Sequence, residues 1–440
     1  MLAPGQRWAL AWLFAQAGED ERALALYRQV LDEAPQAVEP RLQLALLLER
    51  RNQVERGARL LEEAPVATAP LDAMKALALG RVMRRQGLHA EAAQVLAEGA
   101  MRGDSCEMGA QLRFEQAKAL DAAGDVDAVM AALAHAHQLA GVALARRHPD
   151  PASQASLAWL DQVLGRPAPA TWQAPRADGL PADPWFLVGF PRSGTTLLET
   201  VLGAHSRLQV LDERPALEEM IASLRQSPGW QDAELLAALD RLDDSALHQA
   251  RARYWNAVRR HLPETGLQLV DKYPLTVTRV PYVARLFPRA HWLLLLRHPC
   301  DCVLSCHMQA FGLNGGVLAF GTLESTARTY DRVMTYWETQ RQQVVTPVHV
   351  LRYEDMVQDL RAQVEPVMAG LGLEWEPAQA DFARQAATRG RRINTPSYAQ
   401  VTEPLHAGAV ERWRRYRDHF TAPVLGLLRP WVERYGYRLD

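Results

Sequence analysis

The residues best suited to chemistry lie in the stretch Phe186-Leu187-Val188-Gly189-Phe190-Pro191-Arg192-Ser193-Gly194-Thr195-Thr196-Leu197-Leu198-Glu199. An apolar run ends at Gly189, a tight turn through Gly194 follows, and the pattern predicts a helix beginning near Thr195. A strand, a loop and a helix N-terminus in that order suit an anion. The first N–H groups of a helix have no intrahelical acceptor, and they sit at the positive end of its dipole. Arg192 adds a cation, and Ser193, Thr195 and Thr196 add hydroxyls. The spacing of Gly, four residues, Gly, Thr, Thr is that of the Walker A loop, but Thr195 stands where that loop has its lysine. A Walker lysine reaches the outer phosphates of a triphosphate. Its replacement points to a shorter, diester-like donor.

Three further groups carry possible chemistry. Arg297-His298-Pro299 follows the apolar run Leu293–Leu296, and Ser305 follows on the next segment. The planar fork of arginine fits phosphate oxygens, and a serine on a following helix adds a donor. Pairing of Arg297 with Asp301 is the competing use. Leu211-Asp212-Glu213-Arg214 offers an acid that either takes a proton from a hydroxyl acceptor or caps a helix starting near Pro215. Asp271-Lys272-Tyr273-Pro274 places a lysine just after a strand expected at Leu267–Val270.

Pro191-Arg192-Ser193-Gly194-Thr195-Thr196-Leu197 resembles the 5′-phosphosulfate loop of sulfotransferases that use 3′-phosphoadenosine 5′-phosphosulfate (PAPS). The likeness is to protein-tyrosine sulfotransferases and to bacterial sulfotransferases with tetratricopeptide repeats, and it spans about residues 185 to 420. The resemblance implies PAPS as co-substrate, with no metal, and assigns roles. Arg192, Ser193, Gly194, Thr195 and Thr196 hold the 5′-phosphosulfate, and Arg297 and Ser305 grip the 3′-phosphate. Tyr353 contacts the nucleotide, and Arg412 lies near its phosphates. Glu213 matches the catalytic base. Lys272 matches the lysine that neutralises the leaving oxygen, and Ser397 matches a serine that holds the transferring group. Asp212 and Glu403 depart from the pattern, which has Glu and Lys there. The resemblance fixes the donor more tightly than the acceptor. A tyrosine of a protein or peptide leads, with a small alcohol, phenol or carbohydrate as the alternative. A nucleotide kinase is a rival reading, opposed by Thr195. A non-catalytic scaffold is another, opposed by the presence of Glu213, Lys272 and Arg297.

The elements that must position these groups follow from periodicity. Residues 1–150 are rich in Ala, Leu, Arg and Glu with helical spacing. Gly18, Asn52, Gly87 and Gly124 recur at intervals of 34 to 37 residues. Ala23, Gly57, Ala92 and Val129 follow each in turn, then Tyr27, Leu61, Leu96 and Leu133. A turn residue, a small residue and a large one describe stacked helical hairpins, and the period resembles the tetratricopeptide repeat. Residues 151–184 read as a proline-rich linker. In 185–440, short apolar runs at Trp185–Phe190, Leu267–Val270, His291–Leu296 and Val348–Leu351 alternate with amphipathic stretches, which implies a parallel sheet. The expected architecture is an α/β P-loop-like domain behind an all-α helical-repeat domain.

Composition narrows the setting. The net charge of −2 gives no basic excess for nucleic acid or an anionic membrane. The N-terminal residues lack a signal-peptide order, and no apolar run approaches a membrane span. Four cysteines form no disulfide framework, so a cytoplasmic setting fits. Cys300, Cys302 and Cys306, beside His298 and His307, are read as small packing residues rather than a metal site. The helical repeats are read as recruiting the protein acceptor or forming a homodimer.

Overall fold

The computed structural model describes residues 4–17, 19–64, 71–103, 105–150, 160, 164, 179–226, 232–262, 266–314, 316–384 and 407–440. Two compact units emerge. One comprises residues 1–156 together with 307–325, and the other 157–306 together with 326–440.

The first unit is helical: α1 Pro4–Ala17, α2 Asp20–Glu33, α3 Val38–Arg50, α4 Val54–Glu62, α5 Leu71–Arg85, α6 His89–Arg102, α7 Cys106–Ala123 and α8 Val126–Arg147. Each helix packs on the next, and α1, α3, α5 and α7 stack in succession. The sequence period explains this. Asn52, Gly87 and Gly124 take left-handed backbone at the turns. The small and large positions of the repeat, Ala23, Ala92 and Val129 and then Tyr27, Leu61, Leu96 and Leu133, are all buried. Side chains are omitted where helices come closest. A Cβ on Gly80 of α5 would lie 2.3 Å from Leu96 of α6, and one on Gly99 of α6 would lie 2.4 Å from the Cβ of Ala76. Helix α8 is long and apolar enough by composition to cross a membrane, contrary to the expectation from run length. Its Val129, Leu133, Ala136 and Leu144 are instead buried within the unit.

Residues 307–325 join this unit although they follow the fourth strand of the other. Val317 packs with Ala110, Ala140 and Leu144, and His307 stacks on His137 with ring centroids 4.6 Å apart. Both histidines are held below the usual imidazole pKa, chiefly by burial, His307 at about 4.

The second unit is built on five parallel strands: β1 Trp185–Val188, β2 Leu208–Asp212, β3 Gln268–Lys272, β4 Trp292–Leu296 and β5 Val348–Arg352. Their order is β2-β3-β1-β4-β5. The unalternating Leu run of β4 is buried throughout, as a strand covered on both faces must be. β5 lies at an edge, where Val350 is 50% exposed. Sequence reasoning missed β2, a short strand directly before the acidic pair. It also ended the first strand two residues late and the third too early, so that Asp271 and Lys272 belong to β3 itself. The connection from β1 leads to one side of the sheet and that from β4 to the other. The crevice between these neighbours is the topological switch point at which such sheets place ligands.

The close crossing of α5 and α6 gives a direct test. Gly99→Ala is expected to lower stability by about 1–3 kcal/mol, because overpacking forces the two helices apart. Gly141→Ala in α8, where a Cβ meets nothing within 4 Å, is expected to raise it by about 0.4–1 kcal/mol. Thermal unfolding of the two variants reads both signs.

Candidate active site

The loop after β1 is shaped by backbone that most residues avoid. Arg192 sits at φ 71° and Gly194 at φ 99°, both in the left-handed region. Ser193 N–H donates to the Phe190 carbonyl at 3.1 Å, closing the turn, and a helix runs from Thr195 to Gly203 as the sequence predicts. Gly194 is also required sterically, since a Cβ there would lie 2.4 Å from the Tyr353 ring. Tyr353 opens the helix after β5, so β5 is tied to the loop through this contact. The Ser193 hydroxyl is buried without a hydrogen-bond partner among the described residues.

Three arginines gather at the switch point. Arg192 Nε donates to Ser305 Oγ at 3.0 Å. Arg297 Nη1 donates to the Arg192 carbonyl at 2.9 Å, and its Nη2 to the carbonyl of Ala409. The Arg297 guanidinium also lies over the Tyr353 ring, 4.9 Å from its centroid. Arg297 thus clips the left-handed loop in place, while its buried Nε has no hydrogen-bond acceptor among the described residues. The competing partner Asp301 stands 3.9 Å away and accepts a hydrogen bond from the Trp413 N–H at 2.8 Å. Arg412 begins a 3₁₀ segment Arg412–His419 and bonds to Tyr416. Burial first, and then the neighbouring cations Arg297 and Arg412, hold Arg192 below the usual arginine pKa. Burial and Arg297 do the same to Arg412. Cations that repel one another in a buried crevice are stabilised by an incoming anion.

The second cluster lies at the ends of β2 and β3. Asp212 and Lys272 are paired in the parallel register. Lys272 is fully buried, and its Nζ meets Asp212 Oδ1 at 2.6 Å, Glu213 Oε1 at 2.8 Å and Glu199 Oε2 at 3.0 Å. Burial opposes its charge, but Glu199, Glu213 and Asp212 together outweigh it and raise the lysine pKa. Glu213 adopts φ 43°, and its N–H donates to the Lys272 carbonyl at 2.9 Å. Its side chain is therefore turned to the lysine rather than to the helix Ala216–Gln226. With a side chain 35% exposed, it is the most accessible of the three acids. Asp271 points the other way and accepts from Tyr254 OH at 2.8 Å, and burial raises its pKa to about 7.

Of the expected site residues, Arg192, Ser193, Gly194, Thr195, Thr196, Arg297, Ser305 and Tyr353 come together around the loop. Glu213 and Lys272 meet beside the helix that follows it. Ser397 and Glu403 lie outside the described residues. Ser305 binds Arg192 directly, a pairing the spacing does not reveal. Glu199 is the functional candidate the sequence reading passed over. Its signal is a lone acid in a helix, Thr195–Gly203, whose neighbours are almost all apolar. Cys300, Cys302 and Cys306 are buried, and the thiols of Cys302 and Cys306 point at backbone carbonyls. Replacing Gly194 by Ala adds strain at a positive φ and a clash with Tyr353, so a loss of about 2 kcal/mol or more in thermal unfolding is expected.

Comparison with known proteins gives partial matches. Residues 184–377 match the family model described as the sulfotransferase family. An uncharacterised protein of Aquifex aeolicus is 26% identical over 57% of this chain and 34% of its own length. Protein-tyrosine sulfotransferase 2 of Gallus gallus is 24% identical over 57% of this chain and 68% of its own. The sulfotransferase domain from the curacin biosynthetic pathway is 18% identical with a TM-score of 0.40, covering 59% of this chain and 99% of that one. Residues 184–377 therefore form a domain that matches the sulfotransferase family of transferase enzymes.

Proposed function

We propose that the chain transfers the sulfuryl group of PAPS to an acceptor hydroxyl, with a protein or peptide tyrosine as the acceptor and adenosine 3′,5′-bisphosphate as the leaving product. The observation that carries this reading is the Glu213–Lys272 pair, 2.8 Å apart, beside a helix that opens from a cation-rich anion loop. The residues fit the donor. Gly194 lets the loop pack against the Tyr353 ring, and the buried Ser193 hydroxyl and Arg297 Nε have no hydrogen-bond partner among the described residues. The loop lies after β1 and Arg297 after β4, which suits a nucleotide with phosphates at both ends of its ribose.

In the reaction, a bond forms between the acceptor oxygen and sulfur while the bond from sulfur to the bridging oxygen breaks. The acceptor proton passes to Glu213, the accessible carboxylate. Lys272 donates to the bridging oxygen and offsets the charge that grows there. The loop N–H groups and Arg192 hold the equatorial oxygens without reorganising during transfer, because their backbone is already fixed. The tyrosine assignment is supported by similarity to relatives such as protein-tyrosine sulfotransferase 2 of Gallus gallus. We further propose that the helical unit recruits the acceptor.

Glu213→Gln keeps the shape of the side chain but removes the base. Turnover with PAPS and a tyrosine-containing peptide is expected to fall by about 10²–10⁴-fold, with bisphosphate affinity and melting temperature near those of the wild type. Normal turnover would place the base elsewhere. Arg297→Ala should weaken binding of adenosine 3′,5′-bisphosphate far more than binding of 5′-AMP. Equal losses for the two nucleotides remove Arg297 from contact with the 3′-phosphate and leave it only its role as a loop clip.

A further inference from the structure

Lys272 is surrounded by acids at rest. Three carboxyl oxygens lie around its ammonium at 2.6, 2.8 and 3.0 Å, and the one on Glu213 accepts a hydrogen bond from it. A leaving oxygen must compete with these acids for the ammonium. Asp212 is fixed by the β2–β3 register, and Glu213 is the base of the proposed reaction. The third partner, Glu199, sits in the helix of the anion loop, five positions beyond Gly194, and has no assigned role. We propose that Glu199 is a positioning residue: it holds Lys272 beside the anion loop while it carries a proton, and withdraws Lys272 from the leaving oxygen when it ionises. This inference deepens the proposed sulfuryl transfer and rests on it.

The geometry supplies the reason. The helix Thr195–Gly203 buries Glu199 among apolar neighbours. Burial pushes its carboxyl up to about 8, Lys272 opposes that shift, and Asp212 and Glu213 add to it. Those are the charged groups that face it, from β2, β3 and the turn after β2. Near neutral pH, Glu199 is a neutral acid and a weak competitor for the ammonium. Above its midpoint, it adds a full negative charge that both grips Lys272 and repels an anionic donor.

Two measurements test this on the full chain. The first is kcat against pH with PAPS and a tyrosine-containing peptide. One unit above a midpoint near 8, about a tenth of Glu199 keeps its proton, so wild-type kcat should drop about tenfold from pH 7 to pH 9. In Glu199→Gln, which stays neutral, the drop should shrink to less than about twofold, whereas Glu199→Asp should retain an alkaline fall. An equal fall in the Gln variant, or a flat wild-type profile, overturns the proposal. The second measurement needs no acceptor. A carboxyl whose pKa is raised by folding contributes stability fully present at low pH and lost as pH rises through the folded value. The melting temperature of the wild type should therefore decline more steeply than that of Glu199→Gln between pH 6 and pH 9. Parallel melting curves overturn the proposal while leaving sulfuryl transfer intact. Diverging melting curves in a protein that never consumes PAPS overturn the role in turnover together with the transferase reading, and leave only a buried titrating acid.

Discussion

The buried ammonium of Lys272 is the constraint on which the site depends. A charge removed from water without partners is very costly, and breaking a buried ion pair leaves an uncompensated charge. Here three carboxyl groups meet one lysine, and each comes from a different place: the loop helix, the end of β2 and the turn after it. The chain can satisfy Lys272 only if β2 lies beside β3 and β3 beside β1, which is the observed order. The requirement that fixes one edge of the sheet also brings the Glu213 carboxyl and the Lys272 ammonium together beside the helix of the anion loop.

The opposite wall of the crevice follows the same logic with the sign reversed. Arg192, Arg297 and Arg412 are brought close, burial and the neighbouring cations hold Arg192 and Arg412 below the usual arginine pKa, and Arg297 spends two of its donors on backbone carbonyls. Left-handed backbone at Arg192 and Glu213 costs about 1–3 kcal/mol per residue. It persists because neighbours over-determine it. Arg297 holds the Arg192 carbonyl, and the Lys272 carbonyl holds the Glu213 N–H. Two of the four described non-glycine residues with positive φ are thus one residue of the anion loop and the proposed base, and rigid elements flank both.

Much of this was legible in the sequence because it is local. The glycine spacing and hydroxyls of 189–196 announce the loop, an unalternating Leu run announces β4, and the recurring turn residues announce the helical hairpins. What the sequence hid depends on partners distant along the chain. β2 is short and half-alternating, and only its pairing with β3 makes it a strand. Lys272 was read as lying beyond its strand because an acid and a lysine look like a strand's end, whereas their pairing with β2 keeps both in the sheet. The Arg192–Ser305 bond spans 113 residues, and the membership of residues 307–325 in the helical unit rests on packing against α7 and α8. Glu199 carried a local signal, a lone acid in an apolar helix, but its meaning required Lys272.

The central claim is that the crevice moves a sulfuryl group from a bisphosphate nucleotide and not a phosphoryl group from a triphosphate. The most direct measurement incubates the wild-type chain with PAPS labelled in its sulfuryl group and, in parallel, with ATP labelled in its γ-phosphate and Mg²⁺, each with protein and small-molecule acceptors separated from a lysate. The account predicts that label leaves PAPS for an acceptor, with stoichiometric release of adenosine 3′,5′-bisphosphate, while ATP is untouched. Transfer of the γ-phosphate with PAPS left intact would contradict it.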